Sequence, residues 1–247
     1  MKIEGARALV TGGARGMGQV FAAELHRAGA SVFVVDVDAD GIANAGLPGT
    51  VADVSDEAQV VRMFDEAEAA LGGPVTILVN NAGILRDGLL VKKDRATGEV
   101  KTMSKAQWDA VIGVNLTGPF LCMREFAKRV VTAEVRPAVA VNLSSVARSG
   151  NVGQSNYSAA KAGLAADTMV WGKELAKFGI RVGAVAPGFI RTPMVASMRP
   201  EVLEKVIAPV PVGRLGEPEE IWEAIRFIVQ CEYFTGRVVE VDGGLVL

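Results

Sequence analysis

Short runs rich in β-branched residues alternate along this chain with longer segments whose apolar residues recur at helical spacing. The pattern predicts strands at 8–10, 32–35, 49–52, 75–79, 138–143, 182–185 and 238–241. It predicts helices at 17–28, 56–71, 104–131, 156–178 and 217–229. Because the strands are almost continuously apolar, both faces of the sheet have to be covered. We therefore expect an α/β fold, a Rossmann-type doubly wound parallel sheet of about seven strands with helices on both faces.

The composition limits the classes to which the protein can belong. Of the 247 residues, 50% are hydrophobic and 22% are charged, and the formal net charge is −2. This balance argues against nucleic-acid and membrane partners. Two cysteines and one histidine, His26, argue against a disulfide scaffold, a histidine-based metal site and a Ser-His-Asp hydrolase. We expect a cytoplasmic protein with one domain over 1–247 and no bound metal.

Two segments stand outside the strand–helix alternation. Residues 92–103 are polar, and residues 187–216 are rich in proline. We interpret 187–216 as a substrate-loop region within the single domain. Its methionines Met194 and Met198 either line an apolar substrate pocket or pack in the core.

A glycine-rich turn joins the first predicted strand to the first predicted helix. Gly12, Gly16 and Gly18 are spaced for a tight turn, close approach of backbone N–H groups to an anion, and close helix–strand packing. The N-terminus of the following helix attracts phosphate. Because the glycines lie between a strand and a helix, they favour a dinucleotide pyrophosphate over a turn without a ligand.

An acidic residue, Asp36, ends the second predicted strand. A carboxylate at this position accepts hydrogen bonds from the adenosine ribose and repels a 2′-phosphate, so it favours NAD over NADP. The alternative interpretation of Asp36 is a solvated acid at a strand end. Arg15 in the glycine-rich turn could pair with a 2′-phosphate, so NADP remains the second choice.

Tyr157 and Lys161 share one face of a predicted helix because they are four residues apart. A free tyrosine has a pKa of ~10 and is a poor base at neutral pH. The Lys161 ammonium and the positive charge of an oxidised nicotinamide are expected to lower the pKa of Tyr157. Tyr157 could then exchange a proton with an alcohol or ketone while hydride moves between substrate and cofactor. The alternative is a pair on the helix surface with no catalytic role.

Taken in chain order, these motifs resemble the short-chain dehydrogenase/reductase family in its compact, single-domain branch. The resemblance extends from about Gly5 to Gly244. It is carried by the glycine-rich turn at 11–18, Asp53-Val54, Asn80-Asn81-Ala82-Gly83, Asn115, Ser145, Tyr157, Lys161, Pro187-Gly188, Ile190, Thr192 and Val241-Asp242-Gly243-Gly244.

The resemblance implies a role for each matching residue. Tyr157 would be the general acid/base, Lys161 would lower its pKa and bind ribose hydroxyls, and Ser145 would orient the substrate oxygen. Asn115 would hold a water that links Lys161 to solvent. The family usually forms homotetramers and acts on small-molecule substrates. The residues expected to bind the cofactor are Gly12, Arg15, Gly16, Met17, Gly18, Asp36, Asp53, Val54, Asn81, Ala82, Gly83, Tyr157, Lys161, Pro187, Gly188, Ile190 and Thr192.

Three features depart from the family pattern. Tyr157 follows Ser145 by one residue fewer than usual, so counting back from Tyr157 selects Ser144. We prefer Ser145 because side chains alternate along the strand, and counting from its end selects Ser145. The extra residues 92–103 form either a hairpin, at the site mouth or at a subunit contact, or a solvated excursion. Gly183 replaces an asparagine, which puts the local backbone hydrogen bonding in doubt.

The leading functional hypothesis is an oxidoreductase that transfers hydride between NAD(H) and a secondary alcohol or its ketone. The alternative is an NADPH-dependent reductase of 3-oxoacyl thioesters on acyl carrier protein or CoA, because segments 84–90 and 212–220 are similar to such reductases. A sugar-nucleotide epimerase is disfavoured by the glycine spacing. A non-enzymatic nucleotide sensor is disfavoured because Tyr157, Lys161 and the serine are all retained.

Overall fold

The computed structural model describes residues 1–192, 195 and 200–247. Its strands are β1 (Arg7–Thr11), β2 (Ser31–Asp36), β3 (Gly49–Val51), β4 (Ile77–Asn80), β5 (Val91–Lys93), β6 (Val100–Thr102), β7 (Ala138–Leu143), β8 (Ile180–Pro187) and β9 (Arg237–Val241). Its helices include α1 (Gly16–Arg27), α2 (Ala39–Asn44), α3 (Glu57–Leu71), α4 (Lys105–Ile112), α5 (Gly118–Thr132), α6 (Ser155–Glu174), α7 (Pro200–Ile207) and α8 (Pro218–Gln230). Shorter turns are π-helical at Gly113–Thr117 and 3₁₀ at Val146–Ser149 and Ala176–Phe178.

Seven strands form one parallel sheet in the order β3-β2-β1-β4-β7-β8-β9. The chain builds outward from β1 to β3, then crosses to the other side of β1 to begin β4. The strand order therefore reverses between β1 and β4. In such sheets ligands bind at the carboxyl ends of the strands beside this reversal. The predicted α/β fold is confirmed.

The side chains of each central strand enter two hydrophobic cores alternately. In β1, Ala8 and Val10 pack in the core that α1 and α8 cover, whereas Leu9 packs in the core that α3 and α5 cover. All three residues are 0% exposed. Because helices cover both faces of the sheet, a residue that points away from one core enters the other, so every position of the strand is apolar. This explains the continuous hydrophobic runs.

The long helix predicted at 104–131 is interrupted in the structure. α4 ends at Ile112, and a π-helical turn carrying Asn115 separates it from α5. The apolar spacing continues through this turn, so the sequence pattern alone does not reveal it.

The segment at 92–103 contributes to a hairpin, as one of the two sequence-based interpretations expected. β5 and β6 pair in antiparallel fashion, and every residue in both strands is exposed. The proposed contact of this hairpin with another subunit remains a prediction. Met194 and Met198 lie outside the described residues. Among the described residues, no helix has the length and apolar character needed to span a membrane.

Gly183 lies in β8 between β7 and β9, and its backbone pairs with both neighbouring strands. The doubt about local hydrogen bonding is therefore unfounded. The structure also explains the glycine, because a Cβ at this position would lie 2.6 Å from Ile228 Cγ2 and 2.9 Å from Phe234 Cε1. α8 and the segment after it approach the sheet too closely for a side chain.

We predict that Gly183→Ala lowers the free energy of unfolding by ~1–3 kcal/mol, because the added methyl group overpacks the contact with Ile228. Urea denaturation measures this change. The matched control is Gly113→Ala, where a Cβ would meet Ser55 Cβ at 3.7 Å in helical backbone. Equal stability of the two variants would contradict the packing explanation.

Candidate functional site

The glycine-rich turn after β1 lies against the segment that follows β4. Gly12 has φ of +63°, and a Cβ there would lie 2.8 Å from Ala82 Cα. A Cβ on Gly18 would overlap the carbonyl oxygen of Gly12. Side chains at these two positions would therefore displace the backbone of the turn. Such a turn, leading directly into α1, fits the pyrophosphate of a dinucleotide.

Polar groups join the ends of β1 and β4 on either side of the strand reversal. The Thr11 hydroxyl accepts hydrogen bonds from the backbone N–H groups of Asn81 and Ala82, both at 3.1 Å. Asn81 Nδ2 in turn donates to the carbonyls of Thr11 and Gly12, at 3.1 and 3.0 Å. Asn81 thus holds the glycine-rich turn, in addition to the cofactor contact that the resemblance implies.

A crevice of about 370 Å³ opens beside this turn. It brings together ten of the predicted cofactor residues, which are Gly12, Arg15, Met17, Gly18, Asp36, Asp53, Val54, Asn81, Ala82 and Gly83. Two others, Gly188 and Ile190, line a smaller cavity of about 110 Å³ with Asp242 and Glu220. The crevice is lined from the carboxyl ends of β1, β2, β3 and β4, the edge of such a sheet at which a dinucleotide binds.

Asp36 is 8% exposed at the end of β2. One of its carboxylate oxygens accepts a hydrogen bond from the Ala14 N–H at 3.1 Å, and the other accepts from the Asp38 N–H at 3.2 Å. These bonds fix the carboxylate at the crevice wall. The exposed Arg15 guanidinium lies 3.7 Å from the Asp38 carboxylate. This ion pair partly neutralises the positive charge that could attract a 2′-phosphate.

Lys161 is buried beneath Tyr157 on α6. Its ammonium donates a hydrogen bond to the Leu143 carbonyl at 2.6 Å and lies 5.6 Å from the centre of the Tyr157 ring. The side chain is 4% exposed, and burial lowers the pKa of Lys161 to about 8. The helical spacing of the two residues therefore places them together, as expected.

The pKa of Tyr157 is raised above its ordinary value. Burial is the largest cause, a hydrogen bond with the Ser145 hydroxyl opposes the rise, and the negative charge of Asp87 adds to it. Lys161 is not among the causes of this shift. The expected lowering of the Tyr157 pKa by Lys161 together with an oxidised nicotinamide remains a prediction.

The two adjacent serines have different partners. Ser145 interacts with Tyr157, and its hydroxyl also accepts a hydrogen bond from the Ala147 N–H at 3.1 Å. The buried Ser144 hydroxyl donates to the carbonyl of Lys161 at 2.9 Å. The structure thus turns Ser145 toward the tyrosine and Ser144 toward the backbone of α6.

Asn115 is 0% exposed at the centre of the π-helical turn. Its Oδ1 accepts from the Ile84 N–H at 2.8 Å, and its Nδ2 donates to the Ile84 carbonyl at 2.9 Å. Its side chain therefore fixes the segment after β4. The water that the resemblance assigns to Asn115 remains a prediction.

Sequence reasoning missed three polar residues beside Tyr157, which are Asp87, Gln154 and Asn156. Gln154 Nε2 donates to Asp87 at 2.9 Å, and Asn156 is 0% exposed with its amide fully engaged by backbone groups. A signal was available for Asn156, because a polar residue directly before the tyrosine on a buried helix needs a partner.

Comparison with known proteins finds a family model and several relatives whose sequences are similar to this chain. The family model described as enoyl-(acyl carrier protein) reductase matches residues 12–246. A 3-oxoacyl-(acyl-carrier-protein) reductase of Thermotoga maritima is 39% identical over 259 residues, covering 100% of both chains. A (3R)-3-hydroxyacyl-CoA dehydrogenase of Canis lupus familiaris is 36% identical over 266 residues, covering 100% of this chain and 98% of the relative. An acetoacetyl-CoA reductase of Synechocystis is 38% identical over 238 residues, covering 95% and 94%.

These matches extend over nearly the entire chain. The glycine-rich turn and its crevice are the candidate cofactor site. The protein therefore belongs to the short-chain dehydrogenase/reductase family, whose oxidoreductases use a nicotinamide cofactor.

Proposed function

We propose that the protein interconverts 3-oxoacyl and 3-hydroxyacyl thioesters with a nicotinamide cofactor. The single observation that carries the chemistry is the arrangement of Ser145 and Lys161 around Tyr157. The substrate class is supported by the three relatives named above, each of which is named for an acyl thioester. A 3-hydroxyacyl group carries a secondary alcohol, so this proposal narrows the broader alcohol dehydrogenase hypothesis.

Each residue of this arrangement has a distinct task. The Ser145 hydroxyl donates a hydrogen bond to the substrate oxygen, and the Tyr157 hydroxyl gives that oxygen a proton in reduction or removes it in oxidation. Lys161 places positive charge beneath the phenol and keeps its position through the Leu143 carbonyl. The glycine-rich turn would hold the nicotinamide cofactor, which when bound would supply or accept the hydride and, when oxidised, add positive charge.

The direction of the pKa shift bears on which protonation state Tyr157 has before the cofactor binds. A phenol with a raised pKa stays protonated at neutral pH, which is the form that donates a proton to a ketone. Oxidation of the alcohol requires the phenolate. The rate of oxidation should therefore rise with pH and level off only above the pKa of Tyr157 in the complex.

We propose NAD(H) as the preferred cofactor, supported by the fixed carboxylate of Asp36 and the pairing of Arg15 with Asp38. Reductases of 3-oxoacyl thioesters commonly use NADPH, so NADPH is the second candidate. The Arg15 guanidinium is exposed and could still turn toward a 2′-phosphate.

We predict that reduction of acetoacetyl-CoA proceeds with NADH at a kcat/KM about tenfold or more above that with NADPH, because Asp36 repels the 2′-phosphate. With the better cofactor, kcat/KM for the thioester should also exceed that for a simple methyl ketone, since contacts with the remote thioester portion lower the barrier. Initial rates of nicotinamide oxidation measure both ratios.

The matched variants for this experiment are Asp36→Ala and Asp40→Ala. The first removes the carboxylate at the crevice wall and should reduce or abolish the NADH preference. The second removes an exposed acid from α2 and should leave the preference unchanged. A preference of the unsubstituted protein for NADPH would contradict the cofactor proposal. Equal rates with thioester and simple ketone would contradict the substrate proposal.

We predict that Ser145→Ala lowers kcat by about 10²–10³-fold without loss of NADH binding, because it removes a donor to the reacting oxygen. Ser144→Ala is the matched control. It should retain kcat within a few-fold but lose ~1 kcal/mol of stability, since the bond to the Lys161 carbonyl disappears. Steady-state kinetics and thermal denaturation separate the two effects, and the reverse pattern would assign the catalytic role to Ser144.

A further inference from the structure

The segment 84–88, which we name the strap, follows β4 in the chain and contacts the N-terminal turn of α6 and the residues just before it. Its first residue, Ile84, is held by the side chain of Asn115 through two hydrogen bonds of 2.8 and 2.9 Å. Its last residue, Gly88, donates to the carbonyl of Gly153 at 2.8 Å. The strap is therefore fixed at both ends, and its far end lies against the residues just before α6.

Asn156 fastens the middle of the strap to the backbone of Tyr157. Its Nδ2 donates to the carbonyls of Arg86 and Gln107, at 3.0 and 3.2 Å. Its Oδ1 accepts from the Tyr157 N–H at 2.8 Å. One fully buried amide thus joins the strap, α4 and the tyrosine.

Asp87 makes a second connection through its side chain. Its carboxylate accepts from Gln154 Nε2 at 2.9 Å, and Gln154 Oε1 accepts from Asn151 Nδ2 at 3.0 Å. Both functional groups of the Gln154 amide are therefore used. The connection spans 67 positions of sequence, so it is not a local turn contact.

The N-terminal turn of α6 has little other support. Gln154 occupies the cap position with φ of −122° and ψ of 37°, and its own side chain makes no capping hydrogen bond. Within this turn, Asn156 Oδ1 accepts from the Tyr157 N–H. The first N–H groups of a helix have no partners within it, and a turn without a capping residue frays readily. Tyr157 is in this turn, because α6 begins at Ser155. The position of its hydroxyl therefore depends on contacts outside the helix.

We propose that the strap positions Tyr157 for proton transfer, with Asn156 and the Asp87–Gln154 pair as the positioning residues. This inference rests on the proposed role of Tyr157 as acid and base. Asn156 sets where the tyrosine backbone lies. The Asp87–Gln154 pair prevents the first turn of α6 from moving away from the strap.

Asp87 also influences the tyrosine through its charge. Its negative charge contributes to the raised pKa of Tyr157. The other charged groups on elements around the tyrosine are Lys161 on α6, Arg86 on the strap, Arg148 in the 3₁₀ turn, which pairs with Glu240, and the Lys105–Asp109 pair on α4. Removal of the Asp87 charge should therefore lower the pKa of Tyr157 and shift alcohol oxidation to lower pH.

Two variants separate the contact from the charge. Asp87→Asn retains an oxygen that accepts from Gln154 but removes the charge, so kcat at the optimum should stay within a few-fold while the oxidation pH profile moves down. Gln154→Met removes the contact and leaves the charge, so kcat should fall roughly ten- to hundredfold through misplacement of the phenol. NADH affinity should be unchanged in both. Gln230→Met, at the exposed end of α8, is the matched control.

The full-length protein is assayed in both directions, with thermal denaturation to verify folding and Tyr157→Phe alongside. An unshifted pH profile in Asp87→Asn, or an unchanged kcat in Gln154→Met, would overturn the inference. Asp87 is exposed, so its asparagine variant tests the inference even if the glutamine variant is unstable. If Tyr157→Phe remains active, the proposed function itself fails. If Tyr157→Phe is inactive while Asp87→Asn and Gln154→Met behave like the unsubstituted protein, the positioning role of the strap is refuted and the proposed function stands.

Discussion

A buried ammonium group organises this site. Lys161 lies 4% exposed inside the protein and donates its hydrogen bond to the carbonyl at the end of β7. A charge in such surroundings is costly unless it is hydrogen-bonded, so α6 has to pack where this carbonyl is available. The Ser144 hydroxyl binds back to the Lys161 carbonyl, which fixes the strand end to the helix from both sides. Because Ser144 is used in this way, the next residue, Ser145, faces Tyr157.

A chain of buried amides and hydroxyls extends this attachment into the sheet. Asn80 at the end of β4 donates to Asn142 in β7, and Asn142 donates to Thr168 in α6, both at 2.9 Å. Thr168 in turn donates to the Leu164 carbonyl within the helix. Hydrogen bonds in a low-dielectric interior have strict geometric requirements, and the Oδ1 of Asn80 accepts none from the described residues. The network therefore holds α6 in one register relative to β4 and β7, and the segment that follows β4 lines the crevice.

Burial shifts the two ionisable groups in opposite directions. It lowers the pKa of Lys161 to about 8 and raises the pKa of Tyr157, so each shift is toward the neutral form, while Lys161 remains mostly protonated at pH 7. A proton on the phenol suits reduction of a ketone. We infer that the positive charge of an oxidised nicotinamide reverses the shift of Tyr157 and so permits alcohol oxidation. Charge on the cofactor would thus select the protonation state that each direction requires.

Much of this architecture could be predicted from the sequence, because the hydrophobic pattern of the strands and helices is recorded locally along the chain. Continuous apolar strands indicated a covered parallel sheet, and alternation along β7 favoured Ser145 over Ser144. The reason for Gly183 and the contact between Asp87 and Gln154 could not be predicted. Each depends on segments that are distant in sequence and meet only through the packing of the sheet, so no local pattern records them.

The most direct test of this account is a titration of the Tyr157 hydroxyl by ultraviolet difference spectroscopy. The chain has two tyrosines, and Tyr233 is fully exposed, so Tyr233→Phe leaves Tyr157 as the single phenol. We expect its pKa to lie above the ordinary ~10 in the protein alone and to fall when NAD⁺ is added. A pKa that is not raised without cofactor, or one that NAD⁺ leaves unchanged, would contradict the central role of burial and cofactor charge.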